Sequence, residues 1–200
     1  MVSDAYKFAV PLLGAGIVCI LLRYPVASIP LLILAVFVCY FFRNPDRRIP
    51  DAGNLIVSPA DGKVVKISRG SDGEQTISIF LSIFNVHVNR SPIAGNLENL
   101  EYKRGKFKVA YDEEASRVNE QNILTISGQN IRVVVRQVAG LIARRVICWK
   151  KAGHTLQRGE LFGLIRFGSR VDIVLPGHVK ILVKAGDQVR GGSSVLGEYA

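Results

Sequence analysis

The chain has 200 residues, 48% of them hydrophobic, and its 26 Lys and Arg against 16 Asp and Glu give a formal net charge of +10. This length allows one domain with a sizeable core and a small appendage. The charge predicts an anionic partner, and no aromatic residues interleave with the basic ones as in nucleic-acid-binding sequences, which favours acidic membrane lipid. The three cysteines lack metal-ligand spacing to another Cys or His and argue against a disulfide framework.

Two apolar runs, residues 8–22 and 26–42, form the N-terminal part of the sequence and are separated by Arg-Tyr-Pro. Each falls slightly short of the ~20 residues that span a bilayer comfortably, and a proline interrupts each. We therefore expect either a helical transmembrane hairpin or a re-entrant pair of helices. A cleaved signal peptide is the alternative, but a second apolar run follows the first at once, without a small-residue cleavage site between them.

Basic residues flank these runs unevenly. Arg43, Arg47 and Arg48 follow the second run, whereas only Arg23 lies between the two. Because an excess of Lys and Arg marks the cytoplasmic side of a membrane, this asymmetry places the rest of the chain at the cytoplasmic face of the cell membrane. Residues 1–48 are thus predicted to form a hydrophobic membrane anchor with a basic flank.

From residue 49 to residue 200 the pattern changes to short segments rich in Val and Ile, punctuated by Gly, Asn, Asp and Pro. Such segments are typical of strands joined by turns. Strands are predicted within residues 55–59, 62–68, 75–82, 85–91, 95–105, 121–127, 130–140, 144–150, 163–176 and 178–185. Residues 141–147 fit either a short helix or a strand. We expect a β-rich α+β fold, a compact β-sandwich or barrel-like domain that follows the N-terminal hydrophobic helical anchor.

One of these segments, residues 163–176, reads as a single long strand with Gly168 and Ser169 in its middle. A glycine inside a strand usually marks a β-bulge or a tight bend. Taken alone, the pattern therefore predicts a bend at this point.

Asp61, His87 and Ser169 are candidates for a nucleophilic site. Serine is a poor nucleophile unless a base removes its proton, and a histidine base works best when a carboxylate fixes its tautomer. Strand alternation puts Asn85, His87 and Asn89 on one face, which either faces water or lines a site. Asp61 has a simpler interpretation as a turn residue whose carboxylate caps its own backbone.

Four motifs occur in order: FFRNPDR (residues 41–47), VSPADGKV (57–64), IFNVHVNRSP (83–92) and IRFGSRVDIVLP (165–176). Together they resemble the short, prokaryotic-type, pyruvoyl-dependent phosphatidylserine decarboxylase family. The resemblance implies a proenzyme whose catalytic domain, residues 49–200, cuts its own backbone between Gly168 and Ser169. The products would be a large chain, residues 1–168, and a small chain, residues 169–200, which begins with a pyruvoyl group made from Ser169.

The resemblance also implies the chemistry. Ser169 attacks the carbonyl of Gly168, with His87 as the base and Asp61 as its orienting partner. The self-made pyruvoyl group is then the cofactor, with no metal and no pyridoxal phosphate. It forms a Schiff base with the amine of phosphatidylserine and accepts electrons as carbon dioxide leaves, which gives phosphatidylethanolamine. The implied partners are phosphatidylserine, anionic membrane lipid, the second chain of the same precursor and a second copy in a homodimer, but no nucleic acid.

Two other interpretations stay open. Residues 58–67 and 183–198 resemble the turn-and-strand units of biotinyl/lipoyl-type modules, which would make the chain a non-catalytic, membrane-tethered adaptor, although the flanks of Lys63 lack a lipoylation context. A basic nucleic-acid-binding domain would explain only the charge. Within the decarboxylase interpretation, Gly192-Ser193 is a second Gly-Ser pair, but a cut there would leave only residues 193–200, too few to supply a supporting strand.

The sequence does not identify the residues that bind the lipid phosphate. Four arginines are candidates, and for each of them a solvated basic surface is the simpler interpretation: Arg43, Arg47, Arg90 and Arg166.

Overall fold

The computed structural model describes residues 1–106, 118–140, 145–166 and 169–200. The chain divides into two units, Met1–Asp46 and Arg47–Ala200. The boundary expected from the sequence, after residue 48, lies close to this division.

The first unit is a pair of apolar helices. A short 3-10 turn (Ser3–Ala5) leads into α1 (Tyr6–Leu21), and α2 (Pro25–Phe41) follows. Proline suits the first position of α2 because the amide of that position has no partner within the helix. Glycine at position 16 allows the helices to approach closely, since a Cβ there would lie 3.0 Å from Leu32 Cδ2.

Both predicted apolar runs therefore form helices, and much of their surface is apolar. Leu21, Val26 and Val36 are largely exposed. The segment Ser3–Leu21 has the length and hydropathy of a membrane span, whereas Pro25–Phe41 is shorter. This apolar helix suggests association with a membrane. Whether the pair spans the bilayer or is re-entrant stays a prediction.

The described part of the second unit consists of short strands joined by turns. They are β1 (Leu55–Val57), β2 (Gly62–Arg69), β3 (Gln75–Leu81), β4 (Val88–Arg90), β5 (Gly95–Lys103), β6 (Gln121–Ser127), β7 (Arg132–Val138), β8 (Val146–Cys148), β9 (Thr155–Leu156), β10 (Leu161–Ile165), β11 (Ser169–Leu175), β12 (Lys180–Ile181), β13 (Gln188–Val189) and β14 (Val195–Glu198). The predicted β-rich fold is confirmed.

These strands form three sheets with antiparallel pairing. The largest is a curled half-barrel in the order β13-β2-β3-β11-β7-β6-β5-β9, and the two smaller sheets have the orders β4-β10-β8 and β1-β14-β12. The hydrophobic core includes residues from one face of the large sheet, such as Ile79, Val135 and Val171, together with Phe162 and Ile165 of the β4-β10-β8 sheet. Alternating Val, Ile and Leu thus bury one face of strands such as β7, whereas the central strand β11 is buried on both faces.

The structure corrects the expectation for residues 163–176. They do not form one bent strand: β10 belongs to the β4-β10-β8 sheet, and β11 is a central strand of the large sheet. The chain crosses from one sheet to the other between Ile165 and Ser169. Of the ambiguous segment 141–147, residues 141–144 lie outside the described residues, and Val146 and Ile147 are in a strand.

Candidate active site

Two short connections link the large sheet to the β4-β10-β8 sheet. One leads from Leu81, the last residue of β3, to β4 and contains His87; the other leads from Ile165, the last residue of β10, to Ser169. Ser169 is the antiparallel partner of Leu81, and the Ile165 amide donates to the His87 carbonyl at 3.2 Å. Contacts therefore join the two connections at both of their ends. His87 and Ser169 lie at the same end of the large sheet, where β3 ends and β11 begins.

Ser169 is fully buried as the first residue of β11. Its Oγ makes no hydrogen bond within the described residues. A buried hydroxyl without a partner costs about 1–3 kcal/mol and calls for a functional or structural explanation. A serine hydroxyl that acts as a nucleophile, and is not engaged in a structural hydrogen bond, would give this arrangement. Gly168, the other residue of the expected cut, lies outside the described residues.

His87 is also buried, with 2% of its surface exposed. Its Nδ1 lies 2.9 Å from the main-chain oxygen of Asn85. Because a carbonyl only accepts, Nδ1 carries the proton in the neutral ring, and the lone pair is on Nε2. The ring is therefore held in the tautomer that a general base requires.

Asn85 also builds the turn that carries His87. Its Oδ1 accepts hydrogen bonds from the amide and from the hydroxyl of Ser82, both at 2.8 Å. Its own amide donates to the Ser82 carbonyl at 3.0 Å. The turn between β3 and β4 is thus closed by three hydrogen bonds, and the carbonyl that orients His87 has a fixed position.

Asp61 lies at the same end of the large sheet, immediately before β2. The register of β2 on β3 pairs Lys63 with Phe80, so that Asp61 lies near the end of β3 and thus near the Leu81–Ser169 pair. Glycine is required at position 62, because a Cβ there would lie 2.2 Å from the Phe80 carbonyl oxygen.

The Asp61 carboxylate has two partners among the described residues. The Arg47 guanidinium donates to both carboxylate oxygens at 2.8 Å, and the Gly191 amide donates to Oδ1 at 2.7 Å. Both side chains of the ion pair are largely buried, so removing either partner would leave an uncompensated charge. The role expected for Asp61, orienting His87, stays a prediction.

A buried amide network connects the two sheets at Gln137, whose strand partner Val171 follows Ser169 by two residues. Gln137 Nε2 donates to Asn89 Oδ1 at 2.7 Å, and Asn122 Nδ2 donates to Gln137 Oε1 at 2.9 Å. Gln137 and Asn89 are fully buried. Glycine at position 163 leaves room for this network, since a Cβ there would lie 3.1 Å from Gln137 Nε2, and also for β8, since it would lie 2.1 Å from the Ile147 carbonyl oxygen. The network fixes the strand that follows His87 against the sheet that contains Ser169.

The remaining candidates from the sequence have structural partners. Arg47 binds Asp61, and Arg90 donates to the Gly159 carbonyl at 2.9 Å. Arg43 stacks 3.8 Å above the Tyr40 ring. Ser193 lies in a turn, where its amide donates to the Arg190 carbonyl.

The described residues give no support for a metal-binding site or for a cysteine that acts as a nucleophile. They contain no group of three or more His, Cys, Asp or Glu side chains that could hold a metal ion. Burial raises the pKa of the Cys148 thiol, and a hydrogen bond and the charge of Lys150 offset this only in part. Cys148 is therefore a protonated, weakly nucleophilic thiol.

Sequence reasoning missed Gln137 and the partnership of Arg47 with Asp61. Gln137 had a signal, because it stands at a core-facing position of β7 after Val133 and Val135. For Arg47, the sequence held no signal of this contact beyond the charge of the side chain.

For the face that carries His87 and Asn89, the structure decides between the two alternatives given by the sequence. Both residues are buried, so the face lines the interior rather than facing water.

Comparisons with known proteins point to one family. Residues 34–197 match the family described as phosphatidylserine decarboxylase. The phosphatidylserine decarboxylase proenzyme of Solibacter usitatus is 46% identical over 98% of this chain and 95% of its own length. The proenzyme of Geotalea uraniireducens is 42% identical over 98% of this chain and 94% of its own length, and that of Citrifermentans bemidjiense is 48% identical over 82% and 78%. The chain therefore belongs to the phosphatidylserine decarboxylase family.

Proposed function

We propose that this chain converts phosphatidylserine to phosphatidylethanolamine after it cuts its own backbone between Gly168 and Ser169. The observation that carries the proposal is the state of Ser169. It is fully buried, its Oγ has no hydrogen-bond partner within the described residues, and it begins a strand at the edge where His87 lies. Membership of the decarboxylase family and the proenzyme names of the relatives support the same reaction.

The cut needs a base and a nucleophile that accepts the acyl group of residue 168. His87 Nε2 takes the proton of the Ser169 hydroxyl, whose oxygen attacks the carbonyl carbon of residue 168. The C–O bond forms first, and the C–N bond then breaks as the nitrogen takes a proton back from His87, so that the acyl group becomes an ester on Ser169 and the nitrogen becomes a free amine. Removal of the Ser169 α-proton expels this ester as the carboxylate of residue 168. Water then replaces the nitrogen of the new terminus, ammonia leaves, and a pyruvoyl group remains.

The surroundings of Ser169 fit such a group. Ser169 is fully buried and is the first residue of β11, so the new N-terminus would be shielded from water. Strand β11 pairs with β3 from Ser169 to Leu175 and with β7 from Arg170 to Val174, so the small chain stays in the sheet after the cut. The pyruvoyl group, once formed, supplies a carbonyl that accepts electrons while carbon dioxide leaves. His87 is our candidate for the proton donor to the carbon that loses carbon dioxide.

The proposal gives Asp61 the task of stabilising charge on His87. In the described conformation the Asn85 carbonyl orients the ring, while Arg47 and the Gly191 amide hold the Asp61 carboxylate at the same edge. Asp61→Asn tests this role, because it keeps the size of the side chain and removes its charge. We expect slow cutting in this variant, and normal cutting would limit Asp61 to its structural pair with Arg47.

We further propose that residues 1–48 anchor the protein at the cytoplasmic face of the cell membrane, where the substrate lies. The apolar helices and the arginines that follow them support this location. The working enzyme in this proposal is a homodimer in which each copy consists of a large and a small chain. The alternative of a biotinyl/lipoyl-like adaptor has no support among the family comparisons.

Incubation of the purified protein with phosphatidylserine vesicles tests the proposal. We expect release of carbon dioxide and formation of phosphatidylethanolamine. With sodium cyanoborohydride present, the lipid amine should become attached to the chain of residues 169–200, and mass spectrometry of that chain would detect it. Absence of both products from protein that has cut itself would reject the proposed reaction.

A further inference from the structure

The turn between β3 and β4 presents two large apolar side chains beside the candidate active site. Ile83 is 38% exposed and Phe84 64% exposed. They lie between Ser82 and Asn85, in the turn that follows Leu81, and the strand partner of Leu81 is Ser169. We call Ile83 and Phe84 the apolar tip.

The apolar tip stands on a rigid base. The hydrogen bonds from Ser82 to Asn85 Oδ1 and from the Asn85 amide to the Ser82 carbonyl close the turn around it. Asn85 also orients the His87 ring. The position of the tip is therefore coupled to the position of the candidate base through a few short, fixed bonds.

The surrounding sequence suits contact with an apolar environment. From Gln75 to Asn89 the chain contains no Asp, Glu, Lys or Arg, so that lowering the tip into a lipid interface would not bury a formal charge. Turns usually carry polar residues, because they face water. Two large exposed apolar residues at the tip of a tight turn are the opposite of that expectation and mark an interaction site.

The chemistry of the substrate indicates which partner. Phosphatidylserine stays in the bilayer through its acyl chains, whereas Ser169 is fully buried in the protein. The headgroup can reach Ser169 only if the protein surface next to the site lies against the bilayer. Within the described part of the chain, the apolar tip adjoins both His87 and the strand partner of Ser169.

We propose that the apolar tip inserts into the interfacial region of the lipid bilayer and sets the active site at the height of the headgroups. This inference rests on the proposed function, since that function makes the substrate a membrane lipid. The partner that the tip contacts is lipid rather than protein. Insertion of apolar side chains into the interfacial region of a bilayer is a common way for proteins to bind a membrane surface.

Fluorescence tests the contact without reference to activity. Trp149 is the one tryptophan of the chain, so the full-length Trp149→Phe protein provides a dark background. Phe84→Trp in this background reports on the tip, and Leu182→Trp is the matched control, because Leu182 is also exposed but follows β12 in another sheet. With phosphatidylcholine–phosphatidylglycerol vesicles that carry brominated acyl chains, we expect about half of the tip emission to be quenched and little quenching of the control.

Equal quenching at both positions, or none at the tip, would overturn the proposal. Absence of quenching together with a change of sedimentation on Phe84→Ser would also overturn it and would assign the tip to contact between copies of the chain. Because these vesicles contain no phosphatidylserine, the result does not depend on whether the proposed reaction occurs.

Kinetics then tests the consequence. For the double variant Ile83→Ser/Phe84→Ser, the activity on phosphatidylserine in vesicles, divided by the activity on a short-chain, water-soluble phosphatidylserine, should fall about tenfold. Leu182→Ser should leave this ratio at the wild-type value. An unchanged ratio for the double variant would contradict the proposal, whereas a wild-type protein inactive on both substrates would contradict the proposed function instead.

Discussion

The main-chain amide of Ile165 donates to the carbonyl of His87 at 3.2 Å, and four residues later Ser169 pairs with Leu81 in the large sheet. The candidate base and the candidate nucleophile thus belong to two connections that bridge the same pair of sheets. Any cut between Ile165 and Ser169 would leave strands β10 and β11 in place, because each has its own partners. We therefore expect the fold to tolerate a break at this point.

Replacing Ser169 by alanine should give a folded protein that stays uncut and inactive. The change removes the nucleophile and a buried hydroxyl that has no partner within the described residues, so stability should not fall. Ser193→Ala is the matched control, because Ser193 belongs to the other Gly-Ser pair. Gel electrophoresis after denaturation and thermal unfolding measure both effects. Cutting of Ser169→Ala, or loss of cutting in Ser193→Ala, would contradict the assignment of Ser169.

The sequence was sufficient for the apolar helices and for most strands. Periodicity and turn residues are local signals, and they located these elements. The catalytic roles of Asp61, His87 and Ser169 stay predictions. The division of residues 163–176 between two sheets was missed, because strand pairing depends on residues distant in sequence, such as Leu81 for Ser169. For the same reason, local pattern could not show that Gln137 reaches Asn89 across the sheets.

Gln137→Leu should slow self-cutting more than its loss of stability explains. The leucine keeps most of the volume but leaves the buried amides of Asn89 and Asn122 without this partner, at a cost of about 1–3 kcal/mol. Val135→Ala, on the same face of the same strand, is the matched control, with a comparable loss from its cavity. Unfolding in urea and the rate of chain cutting measure the two effects. Equal cutting rates in both variants would reduce Gln137 to a general stabilising role.

Gly163→Ala should destabilise the contact between the sheets by several kcal/mol or prevent folding. The added Cβ would lie 2.1 Å from the Ile147 carbonyl oxygen and 3.1 Å from Gln137 Nε2, and a backbone neighbour has little freedom to move. Gly53→Ala is the control, because a Cβ there meets no atom within 4 Å. Thermal unfolding of the two variants should differ clearly, and similar melting temperatures would show that β8 and β10 can separate at low cost.

The Lys150–Glu160 ion pair should make a small contribution to stability that depends on pH. Partial burial acts to raise the pKa of Glu160, but hydrogen bonds from Lys150 and the Gln157 amide, together with the Lys150 charge, lower this pKa below the ordinary 4.5. The contribution is therefore present above pH 4.5 and is lost as the pH falls through the lowered pKa.

Glu160→Gln, which keeps an acceptor for the Gln157 amide, should thus cost less than about 1 kcal/mol at pH 7, since the pair is partly exposed. The difference from the wild type should shrink as the pH falls from 7 through the lowered pKa of Glu160. Urea unfolding over a series of pH values measures it, and a difference that does not change with pH would mean that the Glu160 carboxylate does not act through its charge.

The most direct test of the account is the intact mass of the purified protein after denaturation. We expect two chains, of which the smaller contains residues 169–200, has a mass of about 3.5 kDa at the mean residue mass of this protein, and resists Edman sequencing because a pyruvoyl group lacks an α-amine. A single chain of 21.9 kDa that remains uncut on incubation, with Ser169 intact, would contradict the central claim.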